Sequence, residues 1–356
     1  MSLEDLRKKI DDIDSKLVEL LNERARVVVK VGKYKDKNGG PIYAPHREKA
    51  VLEKISRANT GPLPDKTLTA IWREMMSGSF FLERPLRIAF LGPEGSFSHS
   101  AAMLKFGQSV DYEAVADIRT IFNEVSKGHS DLGIVPIENS AGGGIDESLD
   151  AFVDSDVYIC AEVYMAIHHN LLANCKLEDV KEVYSKPEVF AQCRKWLSDT
   201  FTGAKTIAVA SSARAAQMAA EKPYTAAIGS TAAADLYGLK IVCENIEDVP
   251  NNVTRFLIIG KQDTPPTGDD KTSLLFSTAH KAGALVDVLE VFRDHGLNLA
   301  NIESRPSKKR EWEYYFFVDF VGHKSSEQAQ KALEAAKKHC LQLSVLGSYP
   351  KNDKLL

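Results

Sequence analysis

The 356-residue sequence predicts a multidomain chain with an all-α segment, a central α/β segment and a C-terminal α+β segment. Three observations predict it. Apolar residues recur at helical 3–4 spacing from Leu3 to Asp36 with no proline or glycine before Gly32. From Leu86 to Gly260, short strand-like runs alternate with helical patterns, the texture of α/β layers. Beyond a linker-like stretch, the order becomes β-α-β-β-α-β. The corresponding segments are residues 1–85, 86–262 and 271–356.

In the first segment Leu6, Ile10, Ile13, Leu17, Leu20, Val27 and Val31 form one apolar seam. At 1.5 Å per residue this helix is roughly 50 Å long. Asn38-Gly39-Gly40-Pro41 ends it. A second helix is predicted from about Pro45 to Asn59, and a third from Asp65, read as its N-cap, to about Glu83. One long and two short helices cannot cover that seam alone, which predicts an intertwined dimer.

In the second segment, Leu86–Leu91, Leu132–Ile137, Thr206–Ala210 and Ala226–Ile228 read as strands buried on both faces, predicting a largely parallel sheet. Residues 263–270, Asp-Thr-Pro-Pro-Thr-Gly-Asp-Asp, read as a linker. The third segment then shows strands at about Thr272–Thr278, Asn298–Arg305, Glu313–Val321 and Leu341–Leu346. Its helices fall at about Ala282–His295 and Ser325–Cys340.

Composition is that of an ordinary globular chain, 44% apolar and 26% charged. No run approaches the ~20 apolar residues of a membrane span. Met1-Ser2-Leu3-Glu4-Asp5 has no secretory signature, and the scattered cysteines form no C-x-x-C, which together fit a reducing cytoplasm. No metal site or cofactor is predicted. Residues 1–85 carry 17 Lys+Arg against 13 Asp+Glu, an excess of +4 that is too mixed with acids to favour nucleic acid and fits a small anionic metabolite. Gly142-Gly143-Gly144 and Gly92-x-x-Gly95 match neither nucleotide-loop pattern and read as turns. His168-His169 read as strand neighbours facing opposite sides, not a metal pair.

Arg24 falls where the seam asks for an apolar side chain, and Arg24, Val28, Val31 and Lys35 share one helical face. A buried charge is costly unless paired. Two readings follow: a snorkelling arginine or an ion pair with an acid such as Glu48, or a cation pocket for a substrate with several carboxylates.

The segment Leu6-Arg7-x-x-Ile10 … Glu23-Arg24 … Val31-Gly32-Lys33-x-Lys35 … His46-Arg47-Glu48 resembles the all-helical chorismate mutases over about 80 residues. The resemblance implies an intertwined dimer in which Arg24, Arg47 and Lys35 serve one pocket and the partner chain supplies Arg7. The arginines would hold the carboxylates of chorismate, Lys35 would donate to the ether oxygen, Glu48 would accept from the ring hydroxyl, and Ser79 and Glu83 would close the site. A pericyclic rearrangement needs a compact conformer and stabilised charge rather than a nucleophile, so fixed cations suffice. Ala44 stands where some members carry an acid, which leaves any contact there to the backbone. Glu83 stands where some carry glutamine, and repulsion from the ether oxygen predicts that Glu83 works protonated, with mutase activity falling as pH rises.

Gly92-Pro93-Glu94-Gly95-Ser96-Phe97-Ser98, Pro136-Ile137-Glu138-Asn139-Ser140, Ser185-x-Pro187 … Gln192-Cys193 and Asn251-Asn252-Val253-Thr254-Arg255-Phe256 occur in that order. Together they resemble prephenate dehydratase over about 175 residues. That implies two α/β lobes around a cleft, similar to type II periplasmic binding proteins, and conversion of prephenate to phenylpyruvate, carbon dioxide and water. Thr254 would donate to the leaving hydroxyl, and Glu138, Asn139, Ser185 and Gln192 would surround the substrate. Arg255 would pair with a substrate carboxylate or support the loop. Lys186 replaces the histidine common after that serine.

Gly283-Ala284-Leu285-Val286 and Glu303-Ser304-Arg305-Pro306 resemble the phenylalanine-binding signatures of ACT regulatory domains over about 75 residues. Gly283, Ala284 and Leu285 would offer backbone N–H groups at a helix N-terminus to the effector's carboxylate. Glu303 would meet the ammonium, or form a surface pair with Arg305 or Lys308. Phenylalanine would then be a feedback effector of a homodimer or higher oligomer. Alternatives remain: a dehydratase whose mutase segment serves only dimerisation, a non-catalytic metabolite sensor, and an enzyme acting on arogenate.

Overall fold

The computed structural model describes residues 1–201, 203–307 and 313–352, so Lys308 lies outside the described residues. They form two compact units. The smaller holds Met1–Ala44, Ala50–Leu86 and Phe106–Asp111; the larger holds Pro45–Lys49, Arg87–Lys105 and the chain from Tyr112 onward.

In the smaller unit, α1 (Leu3–Asn38) starts on a reciprocal cap in which the Ser2 hydroxyl accepts from the Asp5 N–H and the Asp5 carboxylate accepts from the Ser2 N–H. It ends at Gly39, whose φ of 74° suits glycine. α2 (Pro45–Ala58) has proline in its first turn, where the missing N–H costs nothing. α3 (Asp65–Glu83) begins one residue differently from expectation: Pro64 takes the N-cap position, and the Asp65 carboxylate instead binds Ser56 and Asn59. α1 and α3 approach closely at the buried Gly32, where a Cβ would stand 3.1 Å from the Glu83 Cα. The seam is left uncovered within one chain: Leu6, Ile10, Ile13, Leu17 and Leu20 are 46–61% exposed.

The larger unit contains three sheets. In the first lobe β1 (Arg87–Leu91), β2 (Asp111–Val115), β3 (Leu132–Asn139), β4 (Gly143–Gly144) and β5 (Tyr158–Ala166) carry α4 (Phe97–Phe106), α5 (Ile118–Lys127) and α6 (Asp146–Val153). The second lobe has β6 (Asn170–Ala173), β7 (Glu182–Ser185), β8 (Lys205–Ala208), β9 (Thr225–Gly229) and β10 (Lys240–Cys243). The helices from there to β10 are α7 (Pro187–Gln192), α8 (Arg194–Thr200), α9 (Ser212–Glu221) and α10 (Thr231–Tyr237). β11 (Val253–Gly260) then returns to the first lobe, giving the orders β2-β1-β3-β11-β5 and β10-β6-β9-β7-β8. The expectation of a largely parallel sheet is corrected: β11 runs antiparallel to both β3 and β5, and β6 antiparallel to β9 and β10. A chain that leaves one lobe and comes back re-enters against its neighbours.

The third sheet, ordered β13-β14-β12-β15, comprises β12 (Asp270–Ser277), β13 (Leu299–Pro306), β14 (Tyr314–Val321) and β15 (Gln342–Pro350), with α11 (Ala284–Asp294) and α12 (Glu327–Ala336). Leu274, Phe276, Val318 and Phe320 pack with Val288 and Phe292 of α11 and Ala332 of α12. The alternate residues Leu275, Phe317, Leu346 and Tyr349 join the core of the first lobe with Ile121, Phe152 and Ile159. Both faces of β12 are therefore buried. Gly347 permits this: a Cβ there would overlap the backbone of Ile159. The stretch at 263–270, expected as a spacer, is pinned instead. The His323 ring meets the Thr264 carbonyl at 2.9 Å, and Asp270 accepts from Thr267 and Gly268.

Candidate active sites

In the helical unit, Arg24 donates to the Ser79 hydroxyl at 2.7 Å, and that hydroxyl donates to the Met75 carbonyl at 2.7 Å. One helical turn on from Ser79, Glu83 pairs with Lys35 at 2.7 Å, its side chain only 10% exposed. Lys35 also reaches the Ile42 carbonyl at 3.4 Å. Of the expected residues, Arg24, Lys35, Ser79 and Glu83 thus come together. Arg7 lies exposed toward the N-terminal end of α1. Arg47 and Glu48 belong to the larger unit; Arg47 is exposed, and Glu48 pairs with Lys105 at 2.8 Å.

In the larger unit, Asn139 at the end of β3 organises the hinge. Its Oδ1 accepts from the Ala141 and Gly142 N–H groups, both at 3.0 Å, which turns its Nδ2 the other way. That Nδ2 donates to Asn252 Oδ1 at 2.7 Å and to Thr254 Oγ1 at 2.8 Å. The Thr254 oxygen is thereby held as an acceptor, and its own proton remains to be given. Around this cluster, Ile167 N–H donates to the Asn252 carbonyl, tying the outgoing lobe connection to the returning one. Phe97 stands edge-on to His169 at 5.5 Å, and Ser230 of the second lobe donates to the Gly95 carbonyl at 2.8 Å. Gly142 thus binds the Asn139 side chain, while Gly143 and Gly144 pair with Asn139 and Glu138 of β3.

Gln192 is half-buried and its Oε1 meets His169 Nε2 at 2.7 Å. Ser185 is fully buried and donates to the Ile228 carbonyl at 3.1 Å, so its hydroxyl proton is already committed to the second sheet. Glu138, half-buried, pairs through its backbone with Gly144 and Arg255.

Arg255 corrects the expectation of a substrate contact. Its guanidinium is buried and bonds Glu162 at 2.9 Å, Asp319 at 2.7 Å and the Tyr349 hydroxyl at 3.0 Å. Lys271 shares Glu162 at 2.9 Å. Strand alternation sends Arg255 to the face opposite Thr254, toward the third sheet. Burial among acids also drives the Tyr349 and Tyr164 phenols well above their ordinary range.

On β13, Glu303 and Arg305 face the first lobe while Ser304 and Pro306 are exposed. Arg305 pairs with Asp146 and lies 3.8 Å from Asp150 of α6, so the expected Glu303–Arg305 pair gives way to one across modules. The Glu303 carboxylate carbon stands 2.9 Å from where a Gly144 Cβ would be. Gly283 takes the N-cap of α11 with φ 83°, Ala284 is buried and Leu285 half-buried behind it. His168 and His169 precede β6 rather than lying within it, though they do face opposite ways: His168 is exposed beside Glu247 at 2.8 Å, and His169 is buried.

Asn252 and His169 were not among the expected site residues. Asn252 sits in a motif that reads as a turn, and His169 reads with His168 as a pair of strand neighbours facing opposite sides. The signal for His169 was the polar trio His168-His169-Asn170 interrupting an apolar run from Met165 to Leu172.

A two-lobed α/β body with hydroxyl and amide groups at its hinge, fused to a helical module and a β-α-β-β-α-β sheet, defines a multidomain enzyme of small metabolites. The family models that match are Chorismate mutase type II over residues 6–84, Prephenate dehydratase over 88–264 and ACT domain over 272–338. The chain is 45% identical to a bifunctional chorismate mutase/prephenate dehydratase of Aquifex aeolicus, covering 98% of both chains. Its fold resembles a prephenate dehydratase of Arthrobacter aurescens solved with L-Phe (TM-score 0.70, 31% identity, 76% of this chain and 91% of that one). It also resembles GqqA, described as a quorum quenching acylase (TM-score 0.69, 27% identity, 75% and 98%). The chain belongs to the bifunctional chorismate mutase/prephenate dehydratases. It carries both activities and an ACT regulatory domain, as befits phenylalanine biosynthesis. Among the described residues no helix is long and apolar enough to cross a membrane.

Proposed function

We propose that Thr254 is the proton donor of the dehydratase step. Asn139 carries this reading, because its Nδ2–H occupies a Thr254 lone pair at 2.8 Å and leaves the threonine O–H to point at the leaving hydroxyl of prephenate. Threonine is a weak acid, so the bond strengthens as charge grows on the departing oxygen, and aromatisation with loss of carbon dioxide drives the rest. Asn139 orients, and Glu138 and the Gln192 amide complete the surroundings of the dianion. Ser185 supports that wall from behind. The test is prephenate turnover by Thr254→Ala in the full chain.

In the helical unit, Arg24 and Ser79 hold a carboxylate of chorismate while Lys35 neutralises the ether oxygen, with Glu83 as the group that frees or engages Lys35. Arg7 acts from a second chain, since the exposed seam of α1 needs a partner; a homodimer or higher oligomer follows. Arg47 and Glu48 keep their assignment to this site on resemblance alone. Phenylalanine is the effector, taken up at Gly283–Leu285 and the Glu303–Pro306 strand, and no nucleic acid or cofactor takes part. A cytoplasmic setting fits these metabolites.

A further inference from the structure

The hinge holds one buried imidazole that the reaction as described leaves unused. His169 is 1% exposed and its Nε2 stands 2.7 Å from the Gln192 Oε1. An amide oxygen only accepts, so Nε2 carries the proton, and the neutral ring keeps Nδ1 as a bare acceptor. That Nδ1 makes no hydrogen bond among the described residues.

Both residues are fastened to the same returning segment. The His169 N–H donates to Glu247 Oε2 at 2.9 Å and its carbonyl accepts from Ile246 at 2.8 Å, while the Gln192 carbonyl accepts from Asp248 at 2.7 Å. Four residues beyond Asp248, that segment supplies Asn252 and then Thr254. Burial, opposed by Gln192 and Glu247, holds the imidazole below its ordinary range, so the ring stays neutral around pH 7.

With Oε1 turned to the ring, Gln192 points its two N–H donors the other way. A free amide can turn either end toward a ligand, and its oxygen would repel a carboxylate. We propose that His169 is a positioning residue for dehydration, locking Gln192 as a pure donor toward an oxygen of the anionic substrate. The inference rests on the reading that Gln192 touches prephenate.

The test is kcat and KM for prephenate in full-length variants, with chorismate turnover by the same preparations as the check on folding. His169→Leu and His169→Asn should lower kcat/KM about ten- to a hundred-fold, mostly through KM, as for a lost oriented hydrogen bond. His169→Gln, whose amide N–H reaches near the Nε2 position, should recover to within a few-fold. Gln192→Leu combined with His169→Leu should be no worse than Gln192→Leu alone. If Asn rescues as well as Gln, or if the two losses multiply, His169 acts otherwise and the inference is overturned. If Gln192→Leu costs activity while His169→Leu does not, the inference alone fails. If Gln192→Leu leaves kcat/KM unchanged, the substrate contact of Gln192 fails first and takes the inference with it.

Discussion

Thr254 and Arg255 are consecutive on β11 yet serve opposite faces of the sheet: the threonine oxygen accepts from Asn139 at 2.8 Å, and the guanidinium binds Asp319 of the regulatory sheet at 2.7 Å. The proposed donor strand is thus also the strand that the C-terminal sheet grips from behind.

That grip makes Arg255 a stability residue. Arg255→Ala leaves Glu162 and Asp319 buried with one fewer counter-charge, and unfolding in urea should show a loss of about 3–5 kcal/mol, the usual cost of breaking a buried pair from one side. A loss below about 1 kcal/mol, the level of a surface pair, would mean the network is wet.

Lys35 and Glu83 pair at 2.7 Å across the α1–α3 face. Lys35→Ala removes the cation proposed for the ether oxygen, and chorismate turnover should fall about 10²-fold or more, the usual worth of one preorganised donor. Glu83→Gln keeps a neutral partner beside Lys35 and should cost far less. Turnover unchanged in Lys35→Ala would remove the pair from this role.

Desolvated histidines set an acid limit. Burial lowers His169, His99 and His46 from the ordinary 6.5. A depressed histidine binds its proton more readily when unfolded, so its contribution is complete above pH 6.5 and is lost as pH falls below that value. Thermal midpoints measured from pH 7.5 to 5 should decline, and His169→Gln should soften the decline.

Gly283 is the sharpest test of the effector site. At φ 83° a branched side chain is strained and shields the backbone N–H groups of α11. Calorimetry on full-length Gly283→Val should show phenylalanine affinity weakened about ten-fold or more. Full affinity in this variant would move the effector elsewhere. The full chain is needed because Leu275, Phe317, Leu346 and Tyr349 are core to the first lobe.

Much of this was legible in the sequence. Arg24 stood out because a cation broke an apolar seam, and it does join Lys35, Ser79 and Glu83 on the α1–α3 face. Thr254 and Asn139 lay in separate motifs, and only the antiparallel register of β11 on β3, which puts Thr254 opposite Asn139, brings them together. Arg255 could not be aimed from sequence, since strand alternation gives two faces and the acids that claim it come from strands 93 residues before and 64 after. The 263–270 stretch has a linker's composition, and only Thr264, Thr267 and Asp270 finding partners makes it rigid. His169 was missed because its ring partner, Gln192, comes from a separate helix 23 residues on.

The most direct test of the account is Thr254→Ala in the full chain, assayed for phenylpyruvate from prephenate and for prephenate from chorismate. Dehydration should drop about 10²–10⁴-fold, the usual worth of a positioned proton donor, with chorismate turnover unchanged. Dehydration within a few-fold of the parent chain would contradict the assignment of Thr254 and of the hinge cluster built around it.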